Sequence, residues 1–312
     1  MRTTKTYNIW TKEEEEKLKK LVSITSFEKM VKYFPNRTAT SLFKKASKLG
    51  YFSAYKNFKY TVNEDYWKDL DLVKCYYAGF IAADGNLSKK NYQLQINISS
   101  KDVDILERFK KEVNFTGKVL VYARKKYKSD ELMEVCYLCI NRVKKWYPDL
   151  KEKFNITPQK TFTLQPPNLN NKYLELAYLI GLIDGDGLVC FLPSRNNESR
   201  IGFVNASDSM VKWVCEMFSS IFKNNYSMQR NSKNGVLEKC SSISISGLPS
   251  AIIIDYLRQF PVPKLARKWE NPEILKYIEV QKQKHPNLFL KLDLLEISNL
   301  LPNNSSQSSS LV

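Results

Sequence analysis

Histidine is nearly absent from this chain: His285 is the only one in 312 residues. One imidazole argues against a histidine-ligated metal nuclease and against histidine-based acid–base relays. Acidic residues are scarce too. There are 32 Asp and Glu against 49 Lys and Arg, a net charge of +17 spread along the chain. A folded protein this basic is expected to meet nucleic acid or an anionic membrane, and we read nucleic acid. No apolar run approaches the ~20 residues a spanning helix needs, so no membrane partner is expected. The opening "MRTTKTYNIWTKEEEE" lacks a signal-peptide core and soon turns acidic. The expectation is a soluble intracellular protein, in the cytoplasm or nucleoid of a bacterial or phage-infected cell, or in an organelle. Six cysteines (75, 136, 139, 190, 215, 240) are then expected to be reduced thiols. Cys136 and Cys139 form a single C-x-x-C inside "MEVCYLCIN". That stretch reads as a strand, on which residues three apart point to opposite faces. Core packing fits better than zinc.

What is present falls into blocks. In residues 1–52, "WTKEEEEKLKKLV" places Thr11 three residues before Glu14, a capping box, with Leu18, Leu21 and Val22 on one face. "SFEKMVKYFP" reads as a second short helix stopped at Pro35. "RTATSLFKKASKLGY" reads as a third, with Thr38 as cap and Gly50 as stop. Its Leu42, Phe43, Ala46 and Leu49 are expected in the core, leaving Ser41, Lys44, Lys45 and Lys48 outside. The block resembles a Myb/SANT-like DNA-binding domain, which implies DNA contacts from Lys44, Lys45 and Lys48. Residues 53–70 have no clear period and read as a linker. The end, 301–312, is polar and Ser/Asn-rich and reads as a disordered tail.

The rest repeats itself. Aligning "YYAGFIAADG" with "AYLIGLIDGDG" on Asp84 and Asp186 gives an offset of 186 − 84 = 102 residues. After each come two strands, an amphipathic helix starting at Asp102 or Asp208, two more strands and a closing helix. In the second copy "YSMQRN" and "EKCSSISIS" are expected as the last two strands. Each copy reads αββαββα, the first over 71–165 and the second over 166–300. The fold class is α+β: two pseudo-symmetric repeats preceded by a small three-helix domain.

Both nine-residue stretches, "YAGFIAADG" (77–85) and "LIGLIDGDG" (179–187), end an apolar run in Asp-Gly. A carboxylate at a helix C-terminus faces the negative end of the macrodipole, so a capping role is poor. These stretches resemble the paired signatures of single-chain LAGLIDADG homing endonucleases. The resemblance extends over 71–300; Ala82 departs from it, standing where the family usually has its first acidic residue, Asp184 in the second copy.

The resemblance implies a fold in which the motif helices pack through Ala78, Gly79 and Gly181, with two sheets forming a DNA-binding saddle. Gly85 and Gly187 would let the chain turn sharply out of each helix. It implies a monomeric, site-specific double-strand DNA endonuclease for a long pseudo-symmetric target. Mg²⁺, with Mn²⁺ as substitute, would be held at Asp84 and Asp186, with Ala83 and Gly185 in the metal set. A basic residue near the end of each repeat is also implied: Lys160, and Lys268 in preference to Lys264. The loss at Ala82 could make the two strand cleavages unequal.

The strand "NYQLQINISS" alternates, so Gln93, Gln95 and Asn97 should face away from the core, where amides can pair with bases. Arg124, Lys125, Lys126, Arg195, Arg200 and Arg230 would add phosphate and guanine contacts. The alternative is a catalytically inactive DNA-binding regulator or an intron RNA maturase, the latter taking RNA. An intein is disfavoured, because the chain has neither an N-terminal Cys or Ser nor a His-Asn ending.

Overall fold

The computed structural model describes residues 9–22, 24–51, 60–90, 92–125, 129–141, 143–194, 197–230, 232–233, 236–237 and 239–301. The expected tail beyond residue 301 lies outside the described residues, as do Lys126 and Arg195. The chain divides into a unit ending at Tyr60 and a unit beginning at Thr61.

The first unit holds α1 (Lys12–Val22), α2 (Phe27–Met30) with a 3-10 turn behind it, and α3 (Ala39–Lys48). The capping box forms: the Thr11 N–H donates to Glu14 Oε2 (3.0 Å) and the Glu14 N–H to Thr11 Oγ1 (3.1 Å). Thr38 caps α3, accepting from the Ser41 N–H, and Gly50 ends it at φ +69°. Leu18, Val22, Met30, Phe34, Leu42 and Ala46 make the core. Phe43 departs from expectation: it is 57% exposed and meets Phe27 edge-on at 5.6 Å. Phe43 stands one position off the i, i+4 line of Leu42 and Ala46, so it points away from that core, and Leu49 is only partly buried.

The second unit carries the repeats. The first runs α4 (Leu72–Asp84), β1 (Gly85–Ser88), β2 (Gln93–Ser99), α5 (Val103–Glu112), β3 (Leu120–Lys125), β4 (Leu132–Ile140) and α6 (Trp146–Phe154). The second runs α7 (Lys172–Asp186), β5 (Gly187–Leu192), β6 (Glu198–Asn205), α8 (Asp208–Ile221), β7 (Ser232–Lys233), β8 (Val236–Leu237), β9 (Ser241–Ser246) and α9 (Leu248–Arg258). Then follow α10 (Ala266–Trp269), α11 (Pro272–Lys284) and α12 (Leu294–Ile297). The class is α+β, with antiparallel sheets. No helix among the described residues is long and apolar enough to cross a membrane.

Two expectations are corrected here. Residues 61–70 are no linker: Tyr66 and Trp67 are buried, and the Asn63 carbonyl accepts from Trp146 Nε1 at 3.0 Å. The apolar area of the two rings draws the segment into the first repeat, although its sequence has no period. The second repeat also lacks its expected strand over 226–230, the described part of that stretch, Asn231 lying outside the described residues. Its sheet is β5-β6-β9 against β1-β2-β4-β3 in the first. Only Gln229 and Ser242 exchange main-chain bonds, at 2.7 and 2.8 Å. Tyr226 and Met228 are the only apolar residues there before the chain turns polar, too few to hold a strand on a core.

α4 and α7 are buried on almost every side, the state expected of helices that are apolar all round. Asp71 caps α4, accepting from the Lys74 N–H, and Asn171 caps α7, accepting from Tyr173 and Leu174. They pack backbone to backbone. A Cβ on Gly79 would lie 1.9 Å from the Tyr178 carbonyl oxygen, and one on Gly181 would lie 1.9 Å from that of Tyr76. The matched pair fixes a pseudo-twofold axis between the helices. Gly85 and Gly187 leave their helices at negative φ, so no turn demands glycine there. What demands it is crowding, since a Cβ would sit 2.6 Å from the Ile81 carbonyl oxygen or the Ile183 Cα.

Candidate active site

Because α4 and α7 share an axis, their last turns emerge together. A Cβ on Gly185 would lie 2.2 Å from Ala83 Cβ and 3.1 Å from Asp84 Oδ2, so the two ends touch. Asp84 is half-buried and Asp186 exposed. Burial, and then the charge of Asp186, push the Asp84 carboxyl up to about 6, against the pull of Lys268 and Lys160. Although part of its surface meets solvent, crowding by the surrounding protein also raises Asp186, opposed by Lys160, Lys268 and a bond from Asn205.

Both lysines reach this place. Lys160 Nζ donates to the Gly85 carbonyl (2.5 Å) and, at 3.5 Å, to that of Ala83. Lys268 Nζ donates to the carbonyls of Ile183, Asp184 and Gly187, each at 2.7 Å. Gly85 and Gly187 are counterparts, so Lys160 and Lys268 occupy matching positions. Lys264 turns instead to the Phe260 carbonyl, just beyond α9. The amines meet orphan carbonyls of the motif helices, where a cation opposes the macrodipole. Burial lowers Lys160 and brings Lys268 down to about 8.

Asp184 lies apart from this cluster. It is 1% exposed and accepts from Tyr76 Oη (2.7 Å), Trp269 Nε1 (2.6 Å) and the Leu265 N–H (3.0 Å). Burial raises its carboxyl despite those bonds. It is a structural anchor, so the exchange at Ala82 removes an anchor and not a group facing the carboxylate pair.

The alternation on β2 holds: Leu94, Ile96 and Ile98 are buried while Gln93, Gln95 and Asn97 face outward. The amides are tied together, Asn86 to Gln95 (3.3 Å), Gln95 to Gln93 (2.6 Å) and Asn97 to Tyr122 (3.1 Å). Register puts Arg124 on this face and Lys125 on the opposite one, where it pairs with Asp130 at 2.6 Å. Arg200 donates to Ser246 Oγ (3.1 Å), and Arg230 pairs with Asp208 and Ser241. Cys136 is buried and Cys139 half-exposed across the same strand, and all six cysteines are free thiols.

In the first unit Lys44 and Lys48 are exposed. Lys45 is engaged, with Glu15 at 2.5 Å and the Trp10 ring at 5.6 Å. The three lysines, Thr38, Thr40, Ser41 and Trp10 line one shallow surface.

Two residues of the second unit escaped the sequence reading. Asn205 donates to Asp186 Oδ2 (3.3 Å), while its own oxygen accepts from the Ser207 N–H (2.9 Å). The signal was there: Ile201, Phe203 and Asn205 share one face of β6, and a polar residue in a buried phase needs a partner. Arg267 makes a two-pronged bond to buried Asp102, both contacts 2.8 Å, tying the second repeat to the first. No local pattern marks a pair 165 residues apart.

The donor set near Asp84 and Asp186 is all oxygen: two carboxylates that repel one another, and main-chain carbonyls. That chemistry fits a hard divalent cation such as Mg²⁺ or Mn²⁺. Among the described residues no group of three or more His, Cys, Asp or Glu side chains converges, so a metal here would lean on water and substrate oxygens as well.

No family model and no curated protein matches the chain. Solved structures with a similar fold exist. The I-LtrWI LAGLIDADG homing endonuclease bound to target DNA is 12% identical, over 78% of this chain and 99% of that one, with a TM-score of 0.41. LAGLIDADG homing endonuclease I-GzeII, in complex with its DNA target, is 12% identical over 74% and 97%, with a TM-score of 0.44. Full-length DUF199/WhiA from Thermatoga maritima is 14% identical over 76% and 69%, with a TM-score of 0.40. Likeness of shape at such identities does not carry chemistry with it.

Proposed function

We propose that this chain is a site-specific, double-strand DNA endonuclease of the LAGLIDADG type, acting as a monomer in intron homing on a long pseudo-symmetric target. One observation carries the reading. Two carboxylates 102 residues apart in a repeat meet at touching helix ends, with two amines beside them, in a chain of net charge +17. Mg²⁺, or Mn²⁺ in its place, would be held by Asp84 and Asp186 with main-chain oxygens of Ala83 and Gly185. Bound there, it would polarise the phosphate and acidify the attacking water. The chain's own share is positional. Asn205 orients Asp186, and the lysines set positive charge where the phosphate's charge develops. The amide face of β2, with Arg124 and Arg200, would lie over the bases and phosphates. The first unit, read as Myb/SANT-like, would add phosphate contacts from Lys44 and Lys48.

A second reading, a DNA-binding regulator without cleavage, is favoured by the amines spending their bonds on main-chain carbonyls. An RNA maturase belongs with it. Incubation with a randomised DNA library and Mg²⁺, followed by sequencing of new ends, separates them. Asp186→Asn should abolish cutting and retain binding. Site-selective binding by the wild type without new ends would leave the regulator.

A further inference from the structure

An ammonium group has three donors and no acceptor. Lys268 spends all three, on Ile183, Asp184 and Gly187, and is 6% exposed. Among the described residues Lys160 makes two bonds, one of them 3.5 Å long, and is half-buried. Two groups at matching positions therefore differ in what they can still do. Lys160 has a donor to offer; Lys268 must break a bond first.

The difference traces to Asp184. Its side chain fastens Leu265 and Trp269, the residues flanking Lys268, and takes a third bond from Tyr76 of the other motif helix. Two separate segments, α4 and the turn of α10, thus meet on one buried carboxylate of α7. The first repeat has none of this. Ala82 replaces the acid at the offset of 184 − 82 = 102. The lysines are 268 − 160 = 108 apart, so exposed Thr161 replaces Trp269. Tyr178, the counterpart of Tyr76, is left with a buried hydroxyl that has no hydrogen-bond partner among the described residues. The acid and the indole that would have fastened the Lys160 turn are both missing.

We propose that Asp184 is a positioning residue that locks Lys268 onto the end of α7, leaving Lys160 as the one basic group of the pair free to move onto substrate. The assignment to substrate rests on the endonuclease reading; the inequality of the two lysines does not.

Two measurements test it. Trace acetylation of the full chain, without metal or DNA and mapped by mass spectrometry, should modify Lys160 about tenfold faster than Lys268, because one lost bond to a charged group is worth about that factor. In Asp184→Asn the Lys268 rate should rise about tenfold and the Lys160 rate stay put. Tyr76→Phe keeps the acid and removes one donor; it should give a smaller rise at Lys268 alone, and it serves if Asp184→Asn does not fold. Equal wild-type rates, or a Lys268 rate unmoved in a folded variant, would overturn the proposal.

The second measurement uses a supercoiled plasmid carrying the site recovered from the library, with Mg²⁺. Asp184→Asn should accumulate nicked circles relative to linear product, because one half of the site loses its frame. Compared at equal fractions of supercoiled plasmid consumed, that ratio does not depend on how much protein is folded. A ratio equal to that of the wild type would refute the positioning role. A wild type that cuts nothing, yet labels Lys160 faster than Lys268, would sink the endonuclease reading and leave the lock standing.

Discussion

At the scale of single residues, the two motif tyrosines make a controlled pair. Tyr76 donates to a buried carboxylate at 2.7 Å, and Tyr178 has a buried hydroxyl without a partner among the described residues. Tyr76→Phe should cost about 1.5–3 kcal/mol, the worth of a hydrogen bond to a charged group. Tyr178→Phe removes an unsatisfied group and should be neutral or stabilising by up to ~1 kcal/mol. Urea unfolding of both variants measures the contrast, and equal losses would contradict it.

Asp84 gives a pH signature opposite to the usual carboxylate. Its folded-state pKa, about 6, lies above the ordinary value of 3.8. Between those values the folded protein keeps a proton that the unfolded chain has released. Metal-free stability should therefore fall as pH rises through that window. Melting temperatures of wild type and Asp84→Asn from pH 4 to 7 give the difference. A variant whose slope matched the wild type would rule out Asp84 as its source.

At the scale of elements, β2 and β3 separate two kinds of residue that the sequence grouped. The amides of Gln93, Gln95 and Asn97 share a face with Arg124, and Lys125 lies across the strand in a pair with Asp130. On the selected DNA, Gln95→Ala should relax preference at one or two base pairs, by roughly 1–3 kcal/mol. Arg124→Ala should weaken binding evenly across sequences. Lys125→Ala should change neither affinity nor preference. Binding-site selection on the three variants reports all of this, and an unaltered site preference in Gln95→Ala would take the amide face away from the bases. The period-2 pattern made β2 legible because one face is buried. It said nothing about which way β3 pairs, since β3 is exposed throughout.

For the whole molecule, a +17 chain should bind DNA with a strong salt dependence. In the first unit only Lys44 and Lys48 are free for phosphate among the three α3 lysines read as contacts, because Lys45 is held by Glu15. Replacing both with Gln in the full chain should lower the slope of log affinity against log salt by about 1.8. An unchanged slope would assign the first unit to a partner other than DNA.

Much of the architecture was legible from sequence alone. The capping box at Thr11, the caps at Thr38 and Asp84's place at a helix end are local patterns of a few residues. The element order of the first repeat follows from hydrophobic period, and the duplicated Asp-Gly helix ends mark the pseudo-symmetry. Those signals act over one helix turn or one strand, and the chain carries them wherever it folds. Tertiary structure alone decided the rest. It drew Tyr66 and Trp67 out of an apparent linker, left Phe43 in solvent and reduced the fourth strand of the second sheet to a single pair. It also set Asp184, Tyr76 and Trp269 in one buried knot and closed Arg267 on Asp102. Each of these joins residues remote in sequence, or depends on how much apolar area a core can take in. Burial and bond geometry between distant segments have no local signature, so no spacing in the chain could announce them.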